Sequence, residues 1–127
     1  MKSARILVID DDVLFANLIK RTLSDNYKVK IASDAWSGMD AIDNFKPDAI
    51  VLDILMPAVN GLSFLQELMS YEDTAKIPVL VCSSIADQMN LGYLHQAGVV
   101  RLIDKSTMQP SDIADYIADV LDRRGSV

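Results

Sequence analysis

Short, unbroken runs of apolar residues alternate along the chain with stretches whose apolar residues recur at helical spacing. Ile6–Ile9, Ala49–Leu52 and Val79–Cys82 are unbroken runs, and such runs are typical of strands that are buried on both faces of a sheet. Lys28–Ala32 and Val99–Ile103 are less uniform, but each has the length and the β-branched residues of a strand. The pattern therefore predicts five short strands.

Helical spacing marks five further segments, which alternate with the strands. The predicted helices are Val13–Ser24, Asp34–Asn44 with Ser33 or Asp34 as the cap, Asn60–Ser70, Asp87–Ala97 and Pro110–Asp122. Strands that alternate with helices form βαβ units around a parallel sheet, and right-handed crossovers are the default. We therefore predict an α/β fold with three layers: a doubly wound, five-stranded parallel sheet with five helices, in one domain of residues 1–127.

Composition and charge exclude several classes of function. Half of the 127 residues are hydrophobic, and the formal net charge is −6. A negative chain repels phosphate backbones, so we expect no direct binding to nucleic acid. The single cysteine, Cys82, cannot form an internal disulfide, which favours a reducing cytoplasm. No segment has the pattern of a signal peptide or a membrane span, so we expect a cytoplasmic protein without membrane contact.

Polar side chains follow four of the predicted strands at the point where each strand ends. They are Asp10, Asp11, Asp53, Ser83, Ser84 and Lys105. Ligands of open α/β sheets bind at this edge, where the strand order reverses. In the flavodoxin-like order 2-1-3-4-5, the first and third strands are neighbours, so the three aspartates are expected to converge.

Converging carboxylates repel one another, and either raised pKa values or a bound cation relieves the repulsion. Mg²⁺ prefers oxygen ligands and commonly binds one or two carboxylates together with phosphate oxygens. Lys105 adds a positive charge, and the hydroxyl of Ser83 can bind a phosphoryl oxygen. Each of these residues alone is more often a loop or surface residue. Together they fit phosphoryl transfer to a carboxylate nucleophile, in which positioning and charge neutralisation provide most of the catalysis.

Four segments carry a family resemblance, and the intervals between them need no insertion or deletion. They are Ile6–Asp12 with its acidic residues, Asp53–Gly61 with a proline four and a glycine eight residues after the aspartate, Ile77–Ser84, and Ala97-Gly98 followed by Lys105. In both sequence and spacing, these four segments resemble the response-regulator receiver domains of two-component systems, the CheY-like superfamily. The resemblance covers nearly the whole chain.

The resemblance implies a phosphoacceptor and a metal site. Asp53 would accept the phosphoryl group. Asp10, Asp11 and Asp53 would bind Mg²⁺ or Mn²⁺, with the backbone carbonyl of Leu55 as a further ligand. Asp12 we interpret as a residue that caps the following helix rather than as a metal ligand.

The resemblance also implies a switch, from which the sequence departs at two positions. Lys105 would contact the phosphoryl group, and Ser83, followed by Ser84, would move toward it after transfer. Receivers often carry an aromatic residue three positions before the lysine, but here Leu102 occupies that position and cannot donate a hydrogen bond. Ser106 replaces the family's usual proline, so we predict a trans peptide bond between Lys105 and Ser106.

The predicted function is therefore a signalling switch that is phosphorylated by a histidine kinase or a phosphotransfer protein. It would catalyse only its own phosphorylation and dephosphorylation. Phosphorylation would change the surface around the fourth predicted helix, the fifth strand and the fifth predicted helix, which would contact a downstream protein, an output domain or a second copy of the chain. One alternative is a pseudo-receiver that binds proteins without being phosphorylated. Another is an aspartyl-phosphate phosphatase, although haloacid-dehalogenase-like enzymes usually place a second aspartate two residues after the first.

Overall fold

The sheet has the predicted strand order. A computed structural model describes residues 3–54, 61–84 and 89–125. Among these residues, five parallel strands form one sheet of order β2-β1-β3-β4-β5. The strands are β1 (Arg5–Ile9), β2 (Lys28–Ala32), β3 (Ala49–Asp53), β4 (Val79–Ser83) and β5 (Val99–Asp104).

The described residues contain six helices, one more than predicted. They are α1 (Val13–Leu23), α2 (Ala35–Phe45), α3 (Gly61–Met69), α4 (Glu72–Ala75), α5 (Leu91–Gln96) and α6 (Pro110–Gly125). The prediction of five helices is wrong because α4 is a single turn, too short to show a helical period. It is held against α3 by the hydroxyl of Thr74, which donates to the Leu68 carbonyl at 2.6 Å. The fourth and fifth predicted helices correspond to α5 and α6.

The start of α5 also differs from the prediction. The side chain of Asn90 accepts a hydrogen bond from the Tyr93 backbone N–H at 2.9 Å and caps the helix. The helix that contains Gly92 therefore begins at Leu91, and Gly92 lies in its first turn. The predicted N-cap of α3, Asn60, lies outside the described residues.

Two apolar clusters cover the two faces of the sheet, because consecutive residues of a strand point to opposite faces. Leu7 and Ile9 belong to the cluster under α2, α3 and α5. Ile6 and Val8 belong to the cluster under α1 and α6. The sheet is therefore covered on both sides, and the predicted three-layer α/β fold is confirmed. No helix among residues 3–54, 61–84 and 89–125 is long and apolar enough to cross a membrane.

The edge strand β5 contains one extra residue relative to β4. Val79 pairs with Val99, but Leu80 pairs with Arg101, so Val100 has no residue opposite it and forms a bulge. Its side chain is 49% exposed. Beyond the bulge, the register places Ser83 opposite Asp104.

Gly38 allows α2 to approach the sheet closely. A Cβ atom added at Gly38 would lie 2.8 Å from Cδ1 of the fully buried Ile9 and 3.3 Å from the ring of Phe64. We expect Gly38→Val to lower the free energy of unfolding by about 2–3 kcal/mol, because the added atoms overpack this contact. Urea denaturation measures the change.

The matched control is Gly92→Val, which makes the same substitution near the surface. Among the described residues, a Cβ atom there would approach Asn90 Oδ1 alone, at 3.3 Å, so we expect a change of less than about 1 kcal/mol. Equal losses in the two variants would contradict this account of Gly38.

Candidate functional site

Three aspartates converge at the carboxyl ends of β1 and β3. Asp10 directly follows β1, and Asp53 is the last residue of the neighbouring strand β3. One carboxylate oxygen from each of Asp10, Asp11 and Asp53 lies within 4.8 Å of the other two. Asp10 and Asp53 are only 2% and 7% exposed, whereas Asp11 is exposed. The structure therefore brings together three of the predicted site residues and gives the cluster one side that is open to solvent.

Lys105 bridges two of these carboxylates. Its Nζ atom donates to Asp10 Oδ2 at 3.0 Å and lies 3.6 Å from Asp53 Oδ2. Its backbone N–H donates to the Ser83 carbonyl at 3.0 Å, which joins the ends of β4 and β5. Burial alone would lower the pKa of Lys105, but the hydrogen bond to Asp10 and the charges of Asp10 and Asp53 outweigh it and raise the pKa. Lys105 is therefore a cation at neutral pH.

Asp10 is held in place through both of its carboxylate oxygens. Oδ1 accepts the Asp12 backbone N–H at 2.8 Å, and Oδ2 accepts Lys105. Burial nevertheless raises the pKa of Asp10 above 3.8, assisted by the charge of Asp53 and opposed by these two hydrogen bonds. Keeping the Asp10 carboxylate ionised in this buried position therefore costs free energy, which a further cation would offset.

The donor set fits a hard divalent cation. The atoms that converge are carboxylate oxygens, which Mg²⁺ and Mn²⁺ prefer over softer ligands. The carboxylates of Asp10, Asp11 and Asp53 outweigh the single ammonium of Lys105 by two charges, so a divalent ion would neutralise the cluster. Leu55, the fourth expected ligand, lies outside the described residues.

Asp12 does not belong to this donor set. Its Oδ1 accepts the Phe15 backbone N–H at 3.1 Å and caps α1. The interpretation of Asp12 as a helix cap is confirmed.

The two serines after β4 differ in their exposure. Ser83 is the last residue of β4 and is fully buried beside the end of β3, where Asp53 pairs with Cys82. Ser84 is exposed. Both lie at the same edge of the sheet as the carboxylates, but only Ser83 is part of its packed interior.

Leu102 and Ser106 show what the two departures from the family pattern mean in the structure. Leu102 lies on β5 opposite Val81 and packs against the cluster under α2, α3 and α5. Its side chain has no polar atom, so it offers no hydrogen bond in place of the family's aromatic residue. The peptide bond between Lys105 and Ser106 is trans, as predicted.

Sequence reasoning missed Phe15, which contacts the site. Its place in the apolar stripe of α1 predicts a core residue, and it does pack against the cluster under α1 and α6. Its ring centroid, however, lies 4.3 Å from the Nζ atom of Lys105, a distance typical of a cation–π contact. The signal that could have identified it is its position in the first helical turn after the acidic residues.

Cys82 lies beside the site and is protected by its burial. Burial, together with the charges of Asp10 and Asp53, raises the pKa of Cys82 to about 12. Because the thiolate is the reactive form, we expect the native protein to react with a chromogenic disulfide reagent at pH 8 at least about 100-fold more slowly than the urea-unfolded protein.

A Cys82→Ala variant that also carries Ser70→Cys is the control, since Ser70 is exposed. Its thiol should react at a similar rate in the folded and unfolded states. Rapid labelling of the native wild type would show that Cys82 is accessible.

Comparison with known proteins agrees with this architecture. Residues 6–118 match the family model described as the response regulator receiver domain. The chain is 30% identical over 120 residues to the chemotaxis protein CheY of Halobacterium salinarum, which covers 92% of this chain and 96% of that protein. A solved response-regulator signal receiver domain from Bermanella marisrubri superposes with a TM-score of 0.83 at 28% identity, covering 94% of this chain and 99% of that one.

Other relatives are much longer than this chain. A protein-glutamate methylesterase/protein-glutamine glutaminase of Treponema denticola is 41% identical over 91 residues, which is 69% of this chain but only 24% of that protein. The chain spans about a quarter to a third of the length of the first curated relatives it matches. The family match extends over most of the chain, and the strand order and the acidic cluster agree with it. The chain therefore belongs to the response-regulator receiver domain family of two-component systems.

Proposed function

We propose that the chain is a receiver that accepts a phosphoryl group on Asp53 from the phosphohistidine of a histidine kinase or a phosphotransfer protein. One observation carries the proposal. The Asp53 carboxylate lies both in a cluster of three carboxylates within 4.8 Å of one another and 3.6 Å from the ammonium of Lys105. A nucleophile, a cation and a set of metal ligands are thus present at one point, as phosphoryl transfer requires.

Asp53 is the proposed nucleophile because of its position among the strands. It ends β3, which lies between β1 and β4, so Asp10 is on one side and Ser83 on the other. In the transfer, a carboxylate oxygen forms a bond to phosphorus while the bond from phosphorus to the donor's imidazole nitrogen breaks. That nitrogen keeps the electron pair. Lys105 and the hydroxyl of Ser83 would then bind the phosphoryl oxygens.

Asp10, Asp11 and Asp53, with the backbone carbonyl of Leu55, are the residues that would bind Mg²⁺ or Mn²⁺. When bound, the ion would supply positive charge that offsets the repulsion of the carboxylate by the phosphoryl oxygens. Asp10 is suited to be a fixed ligand because both of its oxygens are already oriented by hydrogen bonds. Asp11 is suited to be the exchangeable ligand because it is exposed.

The surface change that we propose depends on the backbone hydrogen bond that links the ends of β4 and β5. Because the Lys105 backbone N–H donates to the Ser83 carbonyl, a movement of Ser83 and Ser84 toward the phosphoryl group would displace the end of β5. Leu102 cannot report this movement by hydrogen bonding, so we propose that backbone shifts carry it to the surface formed by α5, β5 and α6. A downstream protein, an output domain or a second copy of the chain would bind there.

The chain would thus act as a cytoplasmic switch rather than as an enzyme on other substrates. Its chemistry would be limited to its own phosphorylation and dephosphorylation. The free cysteine Cys82 agrees with a reducing compartment, and the net charge of −6 argues against direct contact with nucleic acid.

Incubation with Mg²⁺ and acetyl phosphate tests the proposal. We expect the intact mass to increase by one phosphoryl group that is stable in acid, labile in base and dependent on Mg²⁺. Asp53→Asn should show no increase, because the amide cannot act as the nucleophile. Asp40→Asn removes an exposed carboxylate on α2 and should be phosphorylated like the wild type.

Two results would contradict the proposal. An Asp53→Asn variant that still gains the group would exclude Asp53 as the acceptor. A wild type that gains no mass, and whose NMR spectrum does not change with beryllofluoride and Mg²⁺, would favour a pseudo-receiver that binds proteins without phosphorylation. Steady release of phosphate from small phosphate esters would favour a phosphatase.

A further inference from the structure

Among the described residues, the ammonium of Lys105 lies near two carboxylates and one uncharged aromatic ring. Asp10 Oδ2 and Asp53 Oδ2 lie 3.0 and 3.6 Å from Nζ, and the centroid of the Phe15 ring lies 4.3 Å away. We infer that Phe15 is a positioning residue for phosphoryl transfer, whose ring holds the Lys105 ammonium where it can bind the phosphoryl group on Asp53. This inference rests on the proposed function.

Lys105 needs such a support because its side chain is flexible and partly open to solvent. A lysine places a point charge on a four-carbon stem with several rotatable bonds, and the side chain here is 16% exposed. Nζ also lies nearer to Asp10 than to Asp53. The negative face of an aromatic ring attracts an ammonium without supplying an oxygen acceptor. The ring therefore restrains Nζ and does not compete with the phosphoryl oxygens by adding negative charge.

The ring also acts equally before and after phosphorylation. When Asp53 becomes an acyl phosphate, the negative charge moves from its carboxylate to the phosphoryl oxygens, and the attraction that held Nζ beside Oδ2 is lost. The attraction to the Phe15 ring does not change. Together with Asp10, Phe15 can therefore keep Lys105 in the site while the second anion beside the ammonium changes from the Asp53 carboxylate to the phosphoryl group.

The position of Phe15 is itself set by the acidic segment, through a closed series of four contacts. Asp10 Oδ1 accepts the Asp12 N–H, and Asp12 Oδ1 accepts the Phe15 N–H. The Phe15 ring contacts the ammonium of Lys105, and Lys105 Nζ donates to Asp10 Oδ2, which closes the series. Such mutual orientation is the pre-organisation that electrostatic catalysis requires.

Stepwise fluorination of Phe15 tests the inference without changing the shape of the ring. Each fluorine weakens the negative face, so the logarithm of the rate of phosphorylation by acetyl phosphate at fixed Mg²⁺ should fall steadily from phenylalanine to its mono-, di- and trifluoro analogues. Phe15→Leu should slow phosphorylation by about three- to fivefold. Phe15→Tyr, which keeps an aromatic ring, should retain most of the wild-type rate.

Phe45→Leu is the matched control. Phe45 is also half-buried on a helix, and its ring centroid lies 5.6 Å from the guanidinium carbon of Arg5. We expect the phosphorylation rate of this variant to equal that of the wild type, because Phe45 lies at the opposite end of the sheet.

A spectroscopic measurement tests the contact independently of activity. The ring current of Phe15 should shift the Hε protons of Lys105 upfield in the unphosphorylated protein, and Phe15→Leu should remove the shift. If the wild type is phosphorylated but fluorination of Phe15 does not change the rate, the role of Phe15 is overturned and the proposed function is not. A wild type that takes up no phosphoryl group would overturn the proposed function, and the role of Phe15 in transfer with it.

Discussion

Lys105→Met is expected to lower the free energy of unfolding of the metal-free protein by about 2–4 kcal/mol at neutral pH. The substitution removes the ammonium that lies 3.0 Å from Asp10 and 3.6 Å from Asp53, and it leaves two buried carboxylates facing each other. The loss should be smaller than that for a fully buried pair, about 3–5 kcal/mol, because the Lys105 side chain keeps some contact with water. Urea denaturation in the presence of a chelator measures it.

The pH dependence of this loss follows from the two shifted pKa values. The pKa of Lys105 is raised above 10.5 in the folded state, so its contribution is complete below that pH and disappears as the pH rises through the folded value. Asp10, whose pKa is raised by burial, binds a proton more readily when folded. The deficit of Lys105→Met should therefore shrink as acid protonates Asp10.

Lys30→Met is the control for the change in net charge. Lys30 is exposed on the edge strand β2, so we expect a change within about 0.5 kcal/mol. Equal losses in the two variants would show that Lys105 contributes only through net charge and would contradict the ion-pair account.

Asp11→Asn is expected to remove about half or more of the stabilisation that Mg²⁺ gives the folded protein. A ligand that binds only the folded state at 100 times its dissociation constant adds about 2.7 kcal/mol to the free energy of unfolding. If Asp11 is a ligand, its loss should weaken Mg²⁺ binding at least about tenfold, which removes about 1.4 kcal/mol of that gain. Thermal unfolding with increasing Mg²⁺ measures the effect.

Asp11→Asn separates metal binding from folding, because the stability of the metal-free variant should barely change. Asp11 is exposed, and exposed substitutions usually alter stability by less than about 0.5 kcal/mol. Removing one of the three converging carboxylates also relieves their repulsion, so metal-free Asp11→Asn should unfold at or slightly above the wild-type midpoint and should gain less stability than the wild type as Mg²⁺ is added. Asp40→Asn should follow the wild-type curve throughout. Parallel curves for Asp11→Asn and the wild type would exclude Asp11 as a ligand.

The sheet and the convergence of the site are predictable from the sequence because burial leaves a clear pattern. Strands covered on both faces must be apolar throughout, so the first polar residue after each run marks its carboxyl end. In β1 and β3 these residues are Asp10 and Asp53. The parallel order then places them together, and no knowledge of side-chain geometry is needed.

Features that depend on a single turn or on side-chain direction are not predictable in this way. The helix α4 has too few residues to show a period, and the start of α5 depends on a hydrogen bond from the Tyr93 N–H to Asn90. The apolar pattern assigns Phe15 to the core, and it does not show that one face of its ring lies against Lys105. The pattern likewise does not distinguish the buried Asp10 from the exposed Asp11.

The bulge at Val100 makes the position of Lys105 depend on the length of β5. If Val100 were paired with Leu80 in a regular strand instead of being bulged, Ser83 would lie opposite Ile103 rather than Asp104, and Lys105 would follow two residues later instead of one. Because each residue advances a strand by about 3.3 Å and reverses the face of its side chain, an insertion or deletion between Arg101 and Lys105 would carry the ammonium away from Asp10 and Asp53. The geometry of the site therefore depends on the number of residues from Arg101 to Lys105 and not on the identity of the exposed Val100.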